Sequence, residues 1–281
     1  MSAVWLITGA ASGFGRELGK AVLHKGYHAV LTDIDTAPIQ DYAADYPERS
    51  IIRKVDVTIP AHIADVVSEV EKTYGKIDGL VCCVGHGYLG TVEETPEADI
   101  RTLFDVNFLG TVRLIQAVLP GMRQSRSGSI ITFSSTAGLA AFPGAGFYSA
   151  TKFALEGFTE ALAQEVQELG LKVMVVEPGP FRTNWQGKDF RTAQQNIADY
   201  AETAWLRQKQ ITDLDKQQPG DPARAATIIL DTIESGNAPL RLLLGKKAIA
   251  VAHQKLEKMR QEFMQWETAS RSADFPDDQI F

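Results

Sequence analysis

The sequence predicts an α/β fold in which a doubly wound, parallel, seven-stranded sheet carries helices on both faces. Short apolar runs alternate with helical segments along most of the 281 residues. A glycine-rich turn separates the first apolar run from the first helix. Because strand–helix–strand crossovers are right-handed, few topologies remain, and the doubly wound one is favoured.

Each predicted strand is a short apolar run, and each predicted helix repeats its apolar residues every three or four positions. The predicted strands are 4–8, 28–32, 50–55, 80–84, 129–133, 172–176 and 240–244, and the main helices are 13–25, 63–73, 96–119 and 147–169. Gly170 follows the last of these helices, as a C-terminal glycine does.

The chain is interpreted as one domain, 1–281, with two additions. Residues 180–218 are polar with scattered aromatics, which predicts a substrate-covering insertion at the carboxyl edge of the sheet. Residues 250–281 are predicted to form a C-terminal helix and tail.

Composition excludes several function classes. The chain is 44% hydrophobic with a net charge of -7, which argues against nucleic-acid binding. No signal-peptide pattern and no run of about 18 apolar residues is found, so no membrane partner is expected. The two cysteines, Cys82 and Cys83, are adjacent and lack ligand-spaced partners, so neither a disulfide framework nor a metal site is predicted. A reducing, cytoplasmic location is expected.

The glycine-rich turn predicts a dinucleotide site. Gly9, Gly13 and Gly15, with Ser12 and Phe14 between them, lie between the first strand and the first helix. Glycines let the backbone approach a pyrophosphate, and the helix start supplies free N–H groups. Tight turns also use glycine, so the strand–turn–helix context carries the interpretation.

Asp33, at the end of the second strand, favours NAD over NADP. Its carboxylate would accept hydrogen bonds from the adenosine ribose and repel a 2′-phosphate. Ile34 follows it, and the turn has Ser12 where a basic residue would favour NADP. Asp33 could instead start a turn or cap a helix. Asp56 and Val57, after the third strand, could meet the adenine, although the same residues suit a plain strand exit.

Tyr148 and Lys152 are four residues apart on a predicted helix and so share a face. An ammonium beside a phenol favours the phenolate, which would bring the tyrosine pKa toward working pH. The pair alone is uninformative. Ser135 lies thirteen residues earlier at the same sheet edge, where it could bond a substrate oxygen or merely form a turn. Asn107 lies mid-helix, where asparagine is a mediocre helix former.

Together these residues resemble the short-chain dehydrogenase/reductase family over residues 3–185. The shared motifs are the glycine turn 8–15, the active-site motif 148–152, Ser135, Asn107, and a Pro-Gly turn followed by threonine (Pro178, Gly179, Thr183). The resemblance implies a Rossmann-type domain that transfers a hydride between nicotinamide and a carbonyl or secondary-alcohol carbon.

The resemblance also implies a role for each residue. Tyr148 would exchange a proton with the substrate oxygen, and Ser135 would orient that oxygen. Lys152 would bind the nicotinamide ribose and lower the Tyr148 pKa. Asn107 would hold a water that links Lys152 to solvent, and Thr183 would contact the cofactor carboxamide.

One departure from the family pattern follows the fourth strand. The usual Asn-Asn-Ala-Gly is replaced by Cys82-Cys83-Val84-Gly85, which removes no catalytic group but alters the loop that holds Gly85 near the cofactor. His86 comes next and is interpreted as a polar loop residue, with substrate contact as the alternative.

The expected function is an NAD-dependent oxidoreductase acting on a fairly apolar secondary alcohol or ketone, in the branch of hydroxysteroid- and retinol-type dehydrogenases. Family members commonly form oligomers, so a homodimer or homotetramer is expected. Two alternatives are a non-catalytic NAD-binding sensor and a scaffold without cofactor.

Overall fold

The computed structural model describes residues 2–186 and 190–275. The strands run in the order β1 (Val4–Thr8), β2 (His28–Asp33), β3 (Ser50–Lys54), β4 (Gly79–Cys82), β5 (Gly87–Leu89), β6 (Gly128–Phe133), β7 (Leu171–Pro178), β8 (Phe190–Thr192) and β9 (Arg241–Leu244). Seven of them form one parallel sheet in the order β3-β2-β1-β4-β6-β7-β9. The predicted doubly wound, Rossmann-type fold class is confirmed.

Helices cover both faces of this sheet. They are α1 (Gly13–His24), α2 (Ala37–Ala43), α3 (Pro60–Tyr74), α4 (Glu97–Phe104), α5 (Gly110–Ser125), α6 (Gly146–Val166), α7 (Leu206–Asp213), α8 (Pro222–Glu234) and α9 (Lys246–Arg271). Alternate residues of β1 serve the two faces: Ile7 packs with α1 and α8, whereas Leu6 packs with α3 and α5. Each fully buried aliphatic side chain of this kind contributes about 1.5–3 kcal/mol.

The segment predicted as one helix, 96–119, has a more detailed structure. It consists of α4, a π-helical turn at Asp105–Leu109, and α5, which continues past Pro120 to Ser125. The π turn inserts extra backbone into a helix, a feature that often occurs at functional sites. Periodicity alone did not distinguish it from a regular helix.

This helical segment, Glu97–Ser125, is the one in the described residues that is long and apolar enough to cross a bilayer, with a mean hydropathy of 1.3 over 18 residues. Core helices meet the same criterion, and α5 packs against α3, β4 and β6. The expectation of no membrane-spanning helix stays a prediction.

Two further features differ from the predicted pattern. β4 ends at Cys82 instead of residue 84, so Cys83 follows the strand and only Cys82 is buried within it. A small parallel sheet pairs β5 with β8, which joins the loop after β4 to the 180–218 region. We call the described parts of that region, residues 180–186 and 190–218, the cover segment.

Candidate active site

The glycine-rich turn has backbone geometry that requires glycine. Gly9 and Gly13 have positive φ values of 70° and 52°, a region that side chains rarely adopt. A Cβ on Gly15 would overlap the Gly9 carbonyl oxygen. The first turn of α1 is therefore drawn tightly against the end of β1, with the helix N-terminus facing the carboxyl edge of the sheet. This backbone cradle fits a dinucleotide pyrophosphate.

Two hydrogen bonds from backbone N–H groups hold the Asp33 carboxylate next to this turn. Its Oδ2 accepts a hydrogen bond from the Ala11 N–H at 3.0 Å, and its Oδ1 accepts one from the Asp35 N–H at 3.3 Å. The residue thus starts a turn, as the alternative interpretation proposed, and also places a carboxylate beside the cradle. Its contact with an adenosine ribose stays a prediction.

Asp56 and Val57 lie after β3, further along the same edge. Asp56 Oδ1 accepts hydrogen bonds from the Thr58 N–H at 2.9 Å and the Thr58 hydroxyl at 2.7 Å, and these lower the pKa of the Asp56 carboxyl. Val57 is buried, and its side chain lies against Gly110, where an added Cβ would come within 2.6 Å. Asp56 therefore shapes the strand exit, and the adenine contact stays a prediction.

Tyr148 and Lys152 are both buried on α6, as their spacing predicts. Hydrogen bonds from Ser135 and Trp185 lower the pKa of Tyr148, but burial outweighs them and raises it to about 12. Lys152 Nζ donates to the Phe133 carbonyl at 2.8 Å and lies 5.8 Å from the Tyr148 ring centroid. Burial lowers the pKa of Lys152 to about 8.

The expectation that Lys152 lowers the Tyr148 pKa stays a prediction. The ammonium is placed over the ring and bound to a backbone carbonyl, and burial disfavours the charged form of both groups. The groups that favour the phenolate are the neutral donors Ser135 and Trp185. Trp185 was not assigned to the catalytic site from sequence, because it lies in the irregular cover segment.

Ser135 forms a turn, and its hydroxyl also lies beside Tyr148. It precedes the short 3-10 helix Thr136–Gly138, and its Oγ accepts a hydrogen bond from the Ala137 N–H at 3.1 Å. The same hydroxyl lies close enough to Tyr148 to lower the pKa of the phenol. The turn therefore holds the hydroxyl at the phenol, where a substrate oxygen would also lie.

Asn107 lies in the π-helical turn and is fully buried. Its Nδ2 donates to the His86 carbonyl and its Oδ1 accepts from the His86 N–H, each at 3.0 Å. A Cβ on Gly85 would lie 3.3 Å from Asn107 Oδ1 and 3.7 Å from Lys152 Nζ. Asn107 thus fixes the loop that departs from the family pattern, and it holds that loop next to Lys152. The water-holding role of Asn107 stays a prediction.

His86 is held by its backbone, and its ring is half-buried. Burial lowers the pKa of His86 to about 4, with further lowering by Arg191 and Lys152. The imidazole is therefore neutral at physiological pH, consistent with an uncharged loop residue.

Thr183 connects the two ends of the site. A Cβ on Gly13 would come within 3.3 Å of Thr183 Cβ, so this side chain lies directly over the glycine turn. The Pro178–Gly179 turn ahead of it is fixed by a hydrogen bond from the Gly179 N–H to the Leu244 carbonyl at 3.0 Å. The carboxamide contact implied for Thr183 stays a prediction.

A cavity of about 600 Å³ opens at this edge of the sheet. Its wall includes eight of the predicted site residues: Phe14, Gly85, Ser135, Tyr148, Lys152, Pro178, Gly179 and Thr183. The remaining predicted residues lie along the same edge, outside the wall: Gly9, Ser12, Gly13, Gly15, Asp33, Asp56, Val57 and Asn107. The wall also holds residues that sequence reasoning did not assign to the site: Cys83, Phe133, Phe142, Phe181, Trp185, Arg207, Ile211, Leu214, Lys247 and Val251.

A buried acidic pair lies behind the cavity floor. Glu156 follows Lys152 by one helical turn, and Glu177 precedes Pro178. Arg241 Nε lies 3.2 Å from Glu156 Oε2 and 3.6 Å from Glu177 Oε1. Burial and the neighbouring Glu156 raise the pKa of Glu177 to about 8. The sequence signal was a glutamate within the apolar run of β7.

Comparison with known proteins agrees with this geometry. Residues 3–194 match the family described as short chain dehydrogenase. A solved short-chain dehydrogenase from Streptomyces avermitilis is 41% identical with a TM-score of 0.92, covering 98% of this chain and 100% of that one. A 3-ketodihydrosphingosine reductase from Bacteroides thetaiotaomicron is 32% identical over 85% of this chain and 87% of the relative. Human retinol dehydrogenase 8 is 36% identical over 70% of this chain and 64% of the relative.

The chain therefore belongs to the short-chain dehydrogenase/reductase family. It is an NAD(P)-dependent oxidoreductase that acts on a small molecule. The resemblance inferred from the sequence motifs is confirmed.

Proposed function

We propose that the protein interconverts an apolar secondary alcohol and its ketone with NAD. The observation that supports this most directly is the placement of Tyr148 and Ser135 together on the wall of a largely apolar cavity. A reductase for a ketone and a retinol dehydrogenase among its relatives fit a substrate with substantial apolar surface. Buried aromatic walls favour such a substrate over a sugar or a small polar alcohol.

When bound, the nicotinamide would supply or accept the hydride, and the glycine-rich turn with Asp33 and Thr183 would hold the dinucleotide. In the oxidation direction, the deprotonated Tyr148 Oη would take the hydroxyl proton of the substrate, the carbinol hydrogen would pass as hydride to the oxidised nicotinamide, and a carbonyl would form. Ser135 Oγ orients the substrate oxygen against Tyr148. Lys152, whose ammonium has three donors and gives one to Phe133, keeps donors for the cofactor ribose.

Replacing Tyr148 by Phe tests the assignment. Tyr148→Phe removes the group that exchanges the proton, so kcat is expected to fall by about 10²- to 10⁴-fold, while NADH affinity stays within a few-fold. NADH absorbance with a ketone panel and NADH fluorescence titration measure the two effects. Full activity in this variant would refute the role of Tyr148.

The preference for NAD rests on Asp33, Ile34 and Ser12, which present a carboxylate and no cation to the adenosine ribose. We expect the wild-type protein to bind NADH at least about tenfold more tightly than NADPH, a difference of about 1.4 kcal/mol. Asp33→Ala should narrow that ratio because the repulsion of the 2′-phosphate is lost. Asp35→Ala is the control, and a wild-type preference for NADPH would contradict the proposal.

We also propose that the protein is a homo-oligomer. Support comes from the outer part of α9, where Leu256, Phe263 and Trp266 are each more than 60% exposed. Three large apolar side chains on one helix are a common feature of surfaces that associate. Sedimentation velocity over a range of concentrations tests this, and a monomer throughout would contradict it.

A further inference from the structure

The cavity wall carries a cation that the proposed hydride transfer does not use. Arg207 lies on α7 in the cover segment, and its guanidinium carbon lies 4.7 Å from the ring centroid of Phe142, which is also on the wall. Stacking of this kind is attractive and fixes the plane of the guanidinium. The group is therefore held in a defined orientation at the cavity.

Arg207 has no anionic partner among the described residues. No carboxylate there lies within 4.0 Å of its guanidinium, and its Nε is buried without a hydrogen-bond partner. The other charged groups on the wall are Lys152, Lys247 and Asp213. Asp213 pairs with Lys209 at 2.5 Å, so the wall has an excess of positive charge.

Two other arginines near the site, unlike Arg207, have partners for their guanidinium groups. Arg241 is surrounded by three carboxylates, those of Glu156, Glu160 and Glu177. Arg182, at the start of the cover segment, donates to the Gln218 carbonyl at 2.7 Å. Half-burying a cation without such a partner costs free energy, which a bound anion would recover.

We propose that Arg207 binds a carboxylate of the substrate, so that the substrate is an apolar hydroxy- or oxo-carboxylic acid. This rests on the proposed function and adds the substrate class to it. The guanidinium fork matches a carboxylate in two parallel hydrogen bonds. The reacting carbon would lie at Tyr148 and the carboxylate at Arg207, with the apolar wall between them. Lys247, at the start of α9, adds a second positive charge on the same wall.

Matched acids and esters test the proposal. The substrates are 3-, 5-, 7- and 9-oxodecanoate, each with its methyl ester, assayed by NADH consumption. One of these oxo positions should place the ketone at Tyr148 while the carboxylate reaches Arg207. For that substrate, kcat/KM for the acid should exceed kcat/KM for the methyl ester by about 10- to 100-fold, as a charged hydrogen-bond pair provides. Arg207→Met should reduce this acid-to-ester ratio to about one, since Met retains the apolar stem but not the charge.

Two further variants serve as controls for the role of Arg207. Arg207→Lys keeps the charge without the fork and should keep an intermediate ratio. Arg224→Met removes the same charge from the exposed side of α8, where the Arg224 side chain is 86% exposed, and should keep the wild-type ratio. Circular dichroism of each variant checks folding. Equal kcat/KM for acids and esters in the wild type, or an unchanged ratio in Arg207→Met, would overturn the proposal.

The outcomes separate the proposal from the proposed function and from a cofactor role. Weaker NADH binding by Arg207→Met, with equal losses for acids and esters, would assign Arg207 to a cofactor phosphate and overturn the proposal. Calorimetric titration with decanoate measures carboxylate recognition without turnover. If no ketone is reduced but decanoate binds the wild type and not Arg207→Met, the proposed function fails and the carboxylate site stands; equal decanoate binding by both would overturn the site.

Discussion

The glycine-rich turn and the cover segment face the same cavity but are built in different ways. The turn is fixed by its backbone: Gly9 and Gly13 have positive φ, and Gly15 has no room for a Cβ. The cover segment acts through side chains, with the Trp185 ring centroid 5.4 Å from that of Tyr148 and Arg207 stacked on Phe142 at the cavity wall. A backbone-defined site has little tolerance for change, whereas a side-chain-defined site can alter its substrate with the fold intact.

The largest effect is expected at the turn. In Gly15→Ala the new Cβ would overlap the Gly9 carbonyl oxygen, so the start of α1 must move away from β1. We expect the free energy of unfolding to fall by roughly 3 kcal/mol, the upper range for overpacking, and NADH affinity to fall by about 100-fold, equivalent to about 2.7 kcal/mol. Thermal unfolding and NADH fluorescence titration measure these.

Gly157→Ala is the matched control, because an added Cβ on Gly157 in α6 meets nothing within 4 Å. Alanine is the better helix former, so this variant should be unchanged or stabilised by about 0.5–1 kcal/mol. If both variants retained wild-type cofactor affinity, the backbone definition of the turn would be contradicted.

A smaller, more specific effect is expected in the cover segment. Trp185→Phe keeps a ring against Tyr148, where the centroids are 5.4 Å apart, but removes the N–H that favours the phenolate. A hydrogen bond to a charged group is worth about 1.5–3 kcal/mol, so the pKa of Tyr148 should rise by about one unit or more. The rising, acid-side limb of the pH profile for alcohol oxidation should move to higher pH, and kcat at neutral pH should fall about tenfold.

Trp205→Phe provides the comparison within the same segment. The Trp205 Nε1 donates to Glu94 Oε2 at 3.2 Å and does not contact Tyr148. Its pH profile should match that of the wild type even if its stability changes. A parallel shift of the pH profile in both variants would mean that the cover segment acts by general packing.

The same contrast explains what the sequence could predict. The seven strands and the glycine turn depend on local patterns, apolar runs and special φ values, which are visible in the residues themselves. The proximity of Tyr148, Lys152 and Ser135 could be predicted because their spacing is fixed by one helix and one strand end. β5 and β8, by contrast, are three-residue strands paired across about a hundred residues, and no local pattern indicates such a pairing.

The roles of Trp185, Arg207 and Asn107 depend on tertiary placement for the same reason. Asn107 was found by motif, but its clamp on His86 follows from a π turn that helical periodicity does not reveal. The Tyr148 pKa depends on burial and on hydrogen bonding from Ser135 and Trp185, and these are properties of the folded cavity. Spacing identified these groups without fixing their electrostatics.

The smallest effect is expected from a change at Glu177. This residue lies one position before the Pro178–Gly179 turn, which leads into the cover segment. Its pKa in the folded protein is raised from 4.5 to about 8 by burial and by Glu156. The unfolded chain therefore loses its proton near pH 4.5 while the folded chain keeps it until about pH 8. The stability from protonated Glu177 is fully present below pH 4.5 and is lost as the pH rises through about 8.

Glu177→Gln keeps the shape of the protonated acid and removes this titration. The Tm of the variant relative to the wild type should rise as the pH increases from 5 to 9, and each kcal/mol of stability that the wild type loses over this range corresponds to about 2–4 °C for a domain of about this size. Glu160→Gln, at the half-exposed end of the same Arg241 cluster, is the control for the loss of a carboxylate next to Arg241. A Glu177→Gln difference that is flat with pH would show that Glu177 is ionised throughout, because only a carboxyl that keeps its proton in the folded protein makes the wild type lose stability across this range.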